Sequence, residues 1–395
     1  MKTILKNGRV ITPIRVIKNG GIVIEDGKIV KVFEGDGPEV VGETKVIDVE
    51  KRYISPGFVD IHTHGAGGHD YMDGTVEAIE GASKAHMKHG TTTVVPTTLT
   101  STMEELFAFF DCYRETKRKM EGGPNMLGLH LEGPYFSMEQ KGAQDPRYIK
   151  SPERDEYLRI LDHSDDIVRW TVAPELDGAM KMGRELTDRG ILCSIGHSNA
   201  IYQDVLEAFE NGYTHITHLY SGMSMVRRID AYRYSGVVES AYLIDEMTVE
   251  IIADGDHLPE SLLKLIYKIK GSDRICLVTD SMRAAGMPEG KSILGSLKDG
   301  QEVIVEDGVA KLLDRSAFAG SVATADRLVR TMTQIAAVPI EEAVKMITLT
   351  PARIMGIEGT KGSLVESKDA DIVVFDDNIE IDLVIVGGNV EINNI

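Results

Sequence analysis

Between residues 55 and 350 the chain alternates short apolar runs with helical stretches, and this alternation limits its fold more than any other feature. The runs are GFVDIHTH (57–64), TTTVVPTT (91–98), NMLGLHLE (125–132), VRWTVAPE (168–175), ILCSIGHS (191–198), YTHITHLY (213–220), VEIIADG (249–255) and RICLVTD (274–280). Amphipathic patterns separate several of them, such as TVEAIEGASKAHMKHG and AIYQDVLEAFENG, the second ending in a glycine stop. Eight β/α repeats in this span predict an α/β fold, a (β/α)8 TIM-like barrel over 55–350. The competing doubly wound sheet would carry a glycine-rich phosphate turn, and no GxGxxG lies between a strand and a helix here.

The two ends of the chain have a different texture. TILKNGRVIT, GGIVIEDGKIVKVFEG and TKVIDVEKRYI are rich in Val and Ile, with Asn7-Gly8, Asn19-Gly20 and Asp26-Gly27 as turn pairs between strands. DADIVVFDDNIEIDLVIVGGNVEINNI resumes that texture at the other end. Segments 1–54 and 351–395 are therefore expected to pair into one small β-sandwich domain. A length of 395 residues accommodates a barrel of about 250 residues plus such a domain. SILGSLKDGQEVIVEDGVAKLL (292–313) reads as an inserted hairpin around Asp307-Gly308, after which AFAGS (317–321) returns toward the barrel mouth.

Composition excludes several function classes. Lys and Arg number 43 against 62 Asp and Glu, a formal net charge of −19 that argues against nucleic acid and anionic membranes. The three cysteines, Cys112, Cys193 and Cys276, are too few and too scattered for a disulfide framework or a zinc ribbon. No run approaches the roughly 20 apolar residues of a membrane span, and the first residues lack a signal-peptide core. A soluble, cytoplasmic protein is the expectation.

Metal-binding residue types collect at the ends of the apolar runs: His62 and His64, Glu132, His197, His218 and Asp280. In a barrel those ends share one mouth, so these residues converge. His62 and His64 lie two apart in a strand and share a face. A lone His-x-His is weak, but four histidines and two carboxylates at equivalent ends of five strands predict a metal site. Imidazoles with carboxylates suit zinc, iron or manganese, and the lack of cysteine argues against a purely structural zinc. Glu132 can bridge two ions, with His62 and His64 on one and His197 and His218 on the other. No lysine stands at the middle strand ends to supply a carbamylated bridge. Asp280 is placed to take a proton from an activated water and pass it to a leaving group.

The chain resembles the amidohydrolase superfamily and, within it, the N-acetylglucosamine-6-phosphate deacetylases. The resemblance spans nearly the whole length through ISPGFVDIHTHG, HLEGPYF, KGAQDP, GHSNA, THLYSGM, IADGDHLP, VTDSMRAAGMPEG, FAGS, TPARIMGI and DADIVV. It implies hydrolysis of the N-acetyl group of a 2-acetamido-hexose 6-phosphate by an enzyme with one or two divalent ions, zinc first among them. Glu132, His197 and His218 match the family's metal ligands and Asp280 its catalytic aspartate. Retention of His62 and His64 implies two ions. By the same resemblance Arg233 binds the phosphate, and His257 reaches the neighbouring subunit's site in a homodimer. Ala143, Gln144, Ser221, Gly222, Phe318, Ala319, Gly320 and Ser321 supply the remaining substrate contacts.

Three positions depart from the family pattern. Gln144 stands where the family usually has histidine, Ser221-Gly222 where it has Asn-Ala, and RYSG around Arg233 where it has REPG. All three fall on the implied substrate pocket, which leaves the galactosamine epimer and other N-acyl substrates open.

Overall fold

A computed structural model describes residues 2–40 and 42–395. Its middle is built on eight strands: β1 (Phe58–Thr63), β2 (Thr91–Pro96), β3 (Leu129–Glu132), β4 (Ile167–Val172), β5 (Leu192–Ile195), β6 (Tyr213–Ile216), β7 (Thr248–Ile251) and β8 (Ile275–Leu277). Strands β3 to β8 form one parallel sheet in chain order, while β1 and β2 pair parallel in a second sheet with Asn125–Met126 on its edge. Two seams join them. Thr97 and His130 form a parallel bridge between the ends of β2 and β3, and the Asp280 N–H donates to the His62 carbonyl (2.9 Å) past the end of β8.

Each strand leads to a helix, in order Val76–Met87, Met103–Lys119, Arg154–His163, Ala179–Asp188, Tyr202–Glu210, Val237–Leu243, Glu260–Lys270 and Ala325–Gln334. Every residue of β1 and β2 is buried, as expected for parallel strands covered on both faces. The predicted helix over 75–90 shows the local logic. Thr75 Oγ1 accepts the Ala78 N–H (3.1 Å) to start it, and Ile79, Ala82 and Met87 turn inward. Each large aliphatic side chain so buried contributes about 1.5–3 kcal/mol.

The terminal segments meet in one eight-stranded mixed sheet. Its order is Asn389–Asn393, Ile381–Val386, Ile372–Phe375, Tyr53–Pro56, Lys2–Ile11, Val16–Glu25 and Lys28–Glu34, with Thr44–Asp48 also paired to Lys2–Ile11. The outer strand curls back to the chain before Ile372, where Ile29 N–H donates to the Lys368 carbonyl (2.9 Å). Leu5, Ile22, Ile54, Ile372, Val374 and Leu383 make a core drawn from both ends of the chain. The alternate residues Val373 and Phe375 face the other way, with the Phe375 ring 6.3 Å from Phe58.

Two expected turns do not form. Asn7-Gly8 lies inside Lys2–Ile11 as a register irregularity opposite Gly20, so Asn19-Gly20 is also strand. The reason is packing: a Cβ on Gly8 would stand 2.5 Å from Ile54 Cδ1. Asp26-Gly27 and Asp307-Gly308 do turn, with positive φ at both residues of each pair, and Asp307-Gly308 joins Gln301–Glu306 to Val309–Leu312. No helix of the described residues is long and apolar enough to cross a membrane.

Candidate metal centre

Four imidazoles converge on the Glu132 carboxylate at the C-terminal ends of the strands. Glu132 Oε1 lies 3.0 Å from His218 Nε2, 3.3 Å from His197 Nε2 and 3.6 Å from His62 Nε2, and Oε2 lies 3.3 Å from His64 Nε2. Asp280 Oδ1 closes the group, 3.1 Å from His64 Nε2 and 3.4 Å from His62 Nε2. All six side chains are buried, and His197, His218 and Asp280 adopt left-handed backbone (φ 48°, 29° and 45°) just past their strands. Such backbone costs non-glycine residues of order 1–3 kcal/mol and persists where surroundings impose it, often at functional sites.

The rings are aimed by their other nitrogens. His197 Nδ1 lies 2.8 Å from the Gln140 carbonyl, His218 Nδ1 3.1 Å from the Ser221 carbonyl, and His62 Nδ1 3.1 Å from Glu250 Oε2. Each of those partners can only accept, so Nδ1 carries the hydrogen and neutral Nε2 points an electron pair at Glu132. Neither a carboxylate nor a lone pair supplies a proton, and His62 Nε2 is buried without a hydrogen bond. A cation resolves that conflict. Two triads, His62–His64–Glu132 and Glu132–His197–His218, bring their ligand atoms close enough to hold an ion each, sharing the glutamate.

In the bare polypeptide, protons must take that place. Burial pushes His62 and His64 down, but Asp280 and Glu132 outweigh it, lifting His62 to about 10 and His64 to about 9. Burial likewise raises Glu132, yet His62, His197 and His218 hold its carboxyl well below the usual range. Asp280 is also lowered: His62 and His64 overcome its desolvation.

A cavity of about 320 Å³ opens over the cluster, lined by His64, Glu132, His197, His218 and Asp280 together with Ala143, Gln144, Ser221, Gly222, His257, Phe318 and Gly320. Gly222 is needed there, since a Cβ at its φ of 55° would stand 2.8 Å from His197 Nδ1. His257 donates from Nδ1 to Asp254 (2.7 Å) and packs against the Phe318 ring, 4.6 Å between centroids.

The expected substrate contacts are placed unevenly around this cavity. Ala319 and Ser321 are fully buried and off the cavity wall, with the Ser321 N–H donating to the Asp280 carbonyl (2.8 Å). Arg233 stands on an exposed hairpin, Arg227–Ile229 with Tyr232–Tyr234, outside the cavity. His257 lines the cavity of its own chain. Gln144 spends both ends on protein, its Nε2 donating to Glu132 Oε2 (2.8 Å) and its Oε1 accepting the Thr100 N–H (3.0 Å). Sequence reasoning missed Leu99, Gly142, Tyr220, Leu294 and Ala317 on the wall. It also missed Glu250 and Arg169 beneath the cluster, whose signal was a lone charge inside each of two apolar strands.

Residues 53–390 match the amidohydrolase family model. The chain belongs to the amidohydrolase family. It is 34% identical to an N-acetylglucosamine-6-phosphate deacetylase of Lysinibacillus sphaericus, over 93% of this chain and 92% of that one. An N-acetylgalactosamine-6-phosphate deacetylase of Escherichia coli O157:H7 is 32% identical over 87% of this chain and 89% of its own. A solved variant of N-acetyl-D-glucosamine-6-phosphate deacetylase from Mycobacterium smegmatis, in complex with N-acetyl-D-glucosamine-6-phosphate, superposes with a TM-score of 0.89. It is 28% identical, covering 100% of this chain and 99% of that one.

Proposed function

We propose that this amidohydrolase removes the N-acetyl group of N-acetyl-D-glucosamine 6-phosphate, giving D-glucosamine 6-phosphate and acetate in amino sugar catabolism. The observation that carries the reading is the convergence of four imidazole Nε2 atoms and Asp280 on one buried carboxylate under the cavity. His62, His64 and Glu132 would hold one divalent ion, and Glu132, His197 and His218 a second, with zinc ahead of iron and manganese for this donor set. Bound there, the metal supplies Lewis-acid stabilisation of charge and a nucleophile from water near neutral pH. Asp280 is the catalytic residue: it takes the proton of the attacking water and returns it to the nitrogen as the C–N bond breaks.

The two seams between the parallel sheets support a closed (β/α)8 barrel over 55–350, and the core shared by both chain ends supports a β-sandwich domain of 1–54 and 351–395. The cavity wall carries His257 but no lysine or arginine among the described residues, while Arg233 is exposed elsewhere. This supports a homodimer in which Arg233 of a second copy completes the phosphate site and His257 acts within its own chain. Three free cysteines fit a cytoplasmic, reducing setting.

One observation favours a second reading. Gln144, where related enzymes usually carry histidine, is tied to Glu132 rather than free for the sugar, and the Escherichia coli relative is named for the galacto epimer. Acetate release from the gluco and galacto 6-phosphates and from unphosphorylated N-acetylglucosamine separates the cases. We expect the phosphorylated gluco sugar to be preferred. Turnover of the galacto sugar alone would reassign the substrate, and turnover independent of phosphate would remove the phosphate site.

A further inference from the structure

Below the metal centre lies a second polar layer, sealed from the cavity. Arg169 (β4) and Glu250 (β7) are both fully buried and paired through Nη1 and Oε1. Every nitrogen of Arg169 is used: Nη1 also donates to the Ile61 carbonyl (3.1 Å), Nη2 to Thr217 Oγ1 (2.9 Å) and Nε to Ser194 Oγ (3.1 Å). The guanidinium thus ties β4 to β1, β5, β7 and the end of β6.

Glu250 divides its two oxygens between this layer and the one above. Oε1 faces Arg169 and, at 3.5 Å, His215 Nε2. Oε2 faces upward, 3.1 Å from His62 Nδ1, and accepts the His218 backbone N–H at 3.2 Å. One oxygen holds a histidine from each metal triad: His62 by its ring, and His218 by its backbone where the chain bends into positive φ.

We propose that Glu250, fixed by Arg169, is a positioning residue that sets the tautomer and aim of His62 and so builds the His62–His64–Glu132 ion position. The inference rests on the metal-centre reading above. His197 and His218 are aimed by loop carbonyls, but His62 sits within β1, where its own carbonyl already accepts the Asp280 N–H. A side-chain acceptor is needed instead. A carboxylate, having no proton to give, forces the hydrogen onto His62 Nδ1 and raises the donor strength of Nε2. Arg169, paired with Oε1, fixes that carboxylate in place with Oε2 turned toward His62.

The test is metal binding by the full-length chain, read by elemental analysis and competitive titration, with Co2+ absorption as the report on ligand geometry. Wild type is expected to bind about two ions. E250Q is isosteric but can turn an amide N–H toward His62 Nδ1. It should bind one of the two ions about 10–100-fold more weakly with an altered Co2+ spectrum. The R169M/E250Q pair, which leaves no unpaired buried charge, should show the same selective loss. Wild-type affinity and spectrum in either folded variant would overturn the positioning role alone. A wild type that takes up no metal would overturn the metal-centre reading with it. In the Zn2+-loaded wild type, long-range 15N–1H spectra should place the His62 proton on Nδ1, and a proton on Nε2 would also overturn the inference.

Discussion

Glu132 and Glu250 lie on either side of His62, and both carboxyls are held well below their ordinary range despite complete burial. Their partners differ. Glu250 has a guanidinium, a charge no protein environment removes, and its oxygens are satisfied by permanent donors. Glu132 has imidazoles, which donate only when protonated, and the amide of Gln144. The first arrangement is complete in the polypeptide. The second depends on something exchangeable, either protons or a metal ion. Two acids of the same type on the same parallel sheet thus separate into fixed scaffold and exchangeable cluster by what neutralises them.

The largest effect should come from Asp280, the acid proposed for proton transfer. Asp280→Asn is expected to lower kcat by about 10²–10⁴-fold, with metal content and melting temperature close to wild type. Steady-state kinetics beside elemental analysis checks this. Near-normal turnover would remove Asp280 from proton transfer.

Next comes the contrast itself. Arg169→Met strands Glu250 without a counter-charge and should cost about 3–5 kcal/mol of stability, read from denaturant midpoints. In metal-free protein, Glu132→Gln should cost far less, about 1 kcal/mol, because the imidazoles facing it can release their protons. Equal losses would break the distinction between the two acids.

Legibility in the sequence follows the same division. Ligands at strand ends stand out because a polar residue that finishes an apolar run has a fixed place in a β/α repeat. That is why His62, His64, Glu132, His197, His218 and Asp280 are expected at one mouth, and in the structure they stand together. Arg169 and Glu250 sit inside IVRWTV and TVEI, and their pairing across 81 residues follows from the packing of distant strands, which no local pattern encodes. Ala319 and Ser321 flank a cavity residue yet point away from the cavity, which a motif cannot show. Asn7-Gly8 carries the composition of a turn, but the glycine serves close packing against Ile54.

The protonated imidazoles give the comparison a pH signature. At pH 7 to 8 the metal-free chain holds protons on His62 (about 10) and His64 (about 9), whereas bound metal requires both rings neutral. Loading should therefore release about two protons per chain, with affinity falling as pH drops. Calorimetry in two buffers of different ionisation enthalpy measures the number. The sign for stability is set by folded pKa values above the unfolded 6.5. The contribution is fully present below about pH 6.5 and is lost as pH rises through about 9 to 10. Melting of the metal-free wild type should accordingly drop over that alkaline range more than that of His62→Asn.

The smallest effect belongs to Gln144. Its amide stands in the cavity wall but bridges the Thr100 backbone and Glu132 Oε2, so it is committed to the carboxylate. Gln144→Ala should remove about 1 kcal/mol of positioning, lowering kcat/KM by less than about 10-fold. The ratio of gluco to galacto turnover should stay constant, since a residue held by Glu132 does not read the sugar's stereochemistry. A variant that keeps its rate but shifts that ratio would turn Gln144 toward the substrate, and Glu132 would then rely on imidazoles and metal alone.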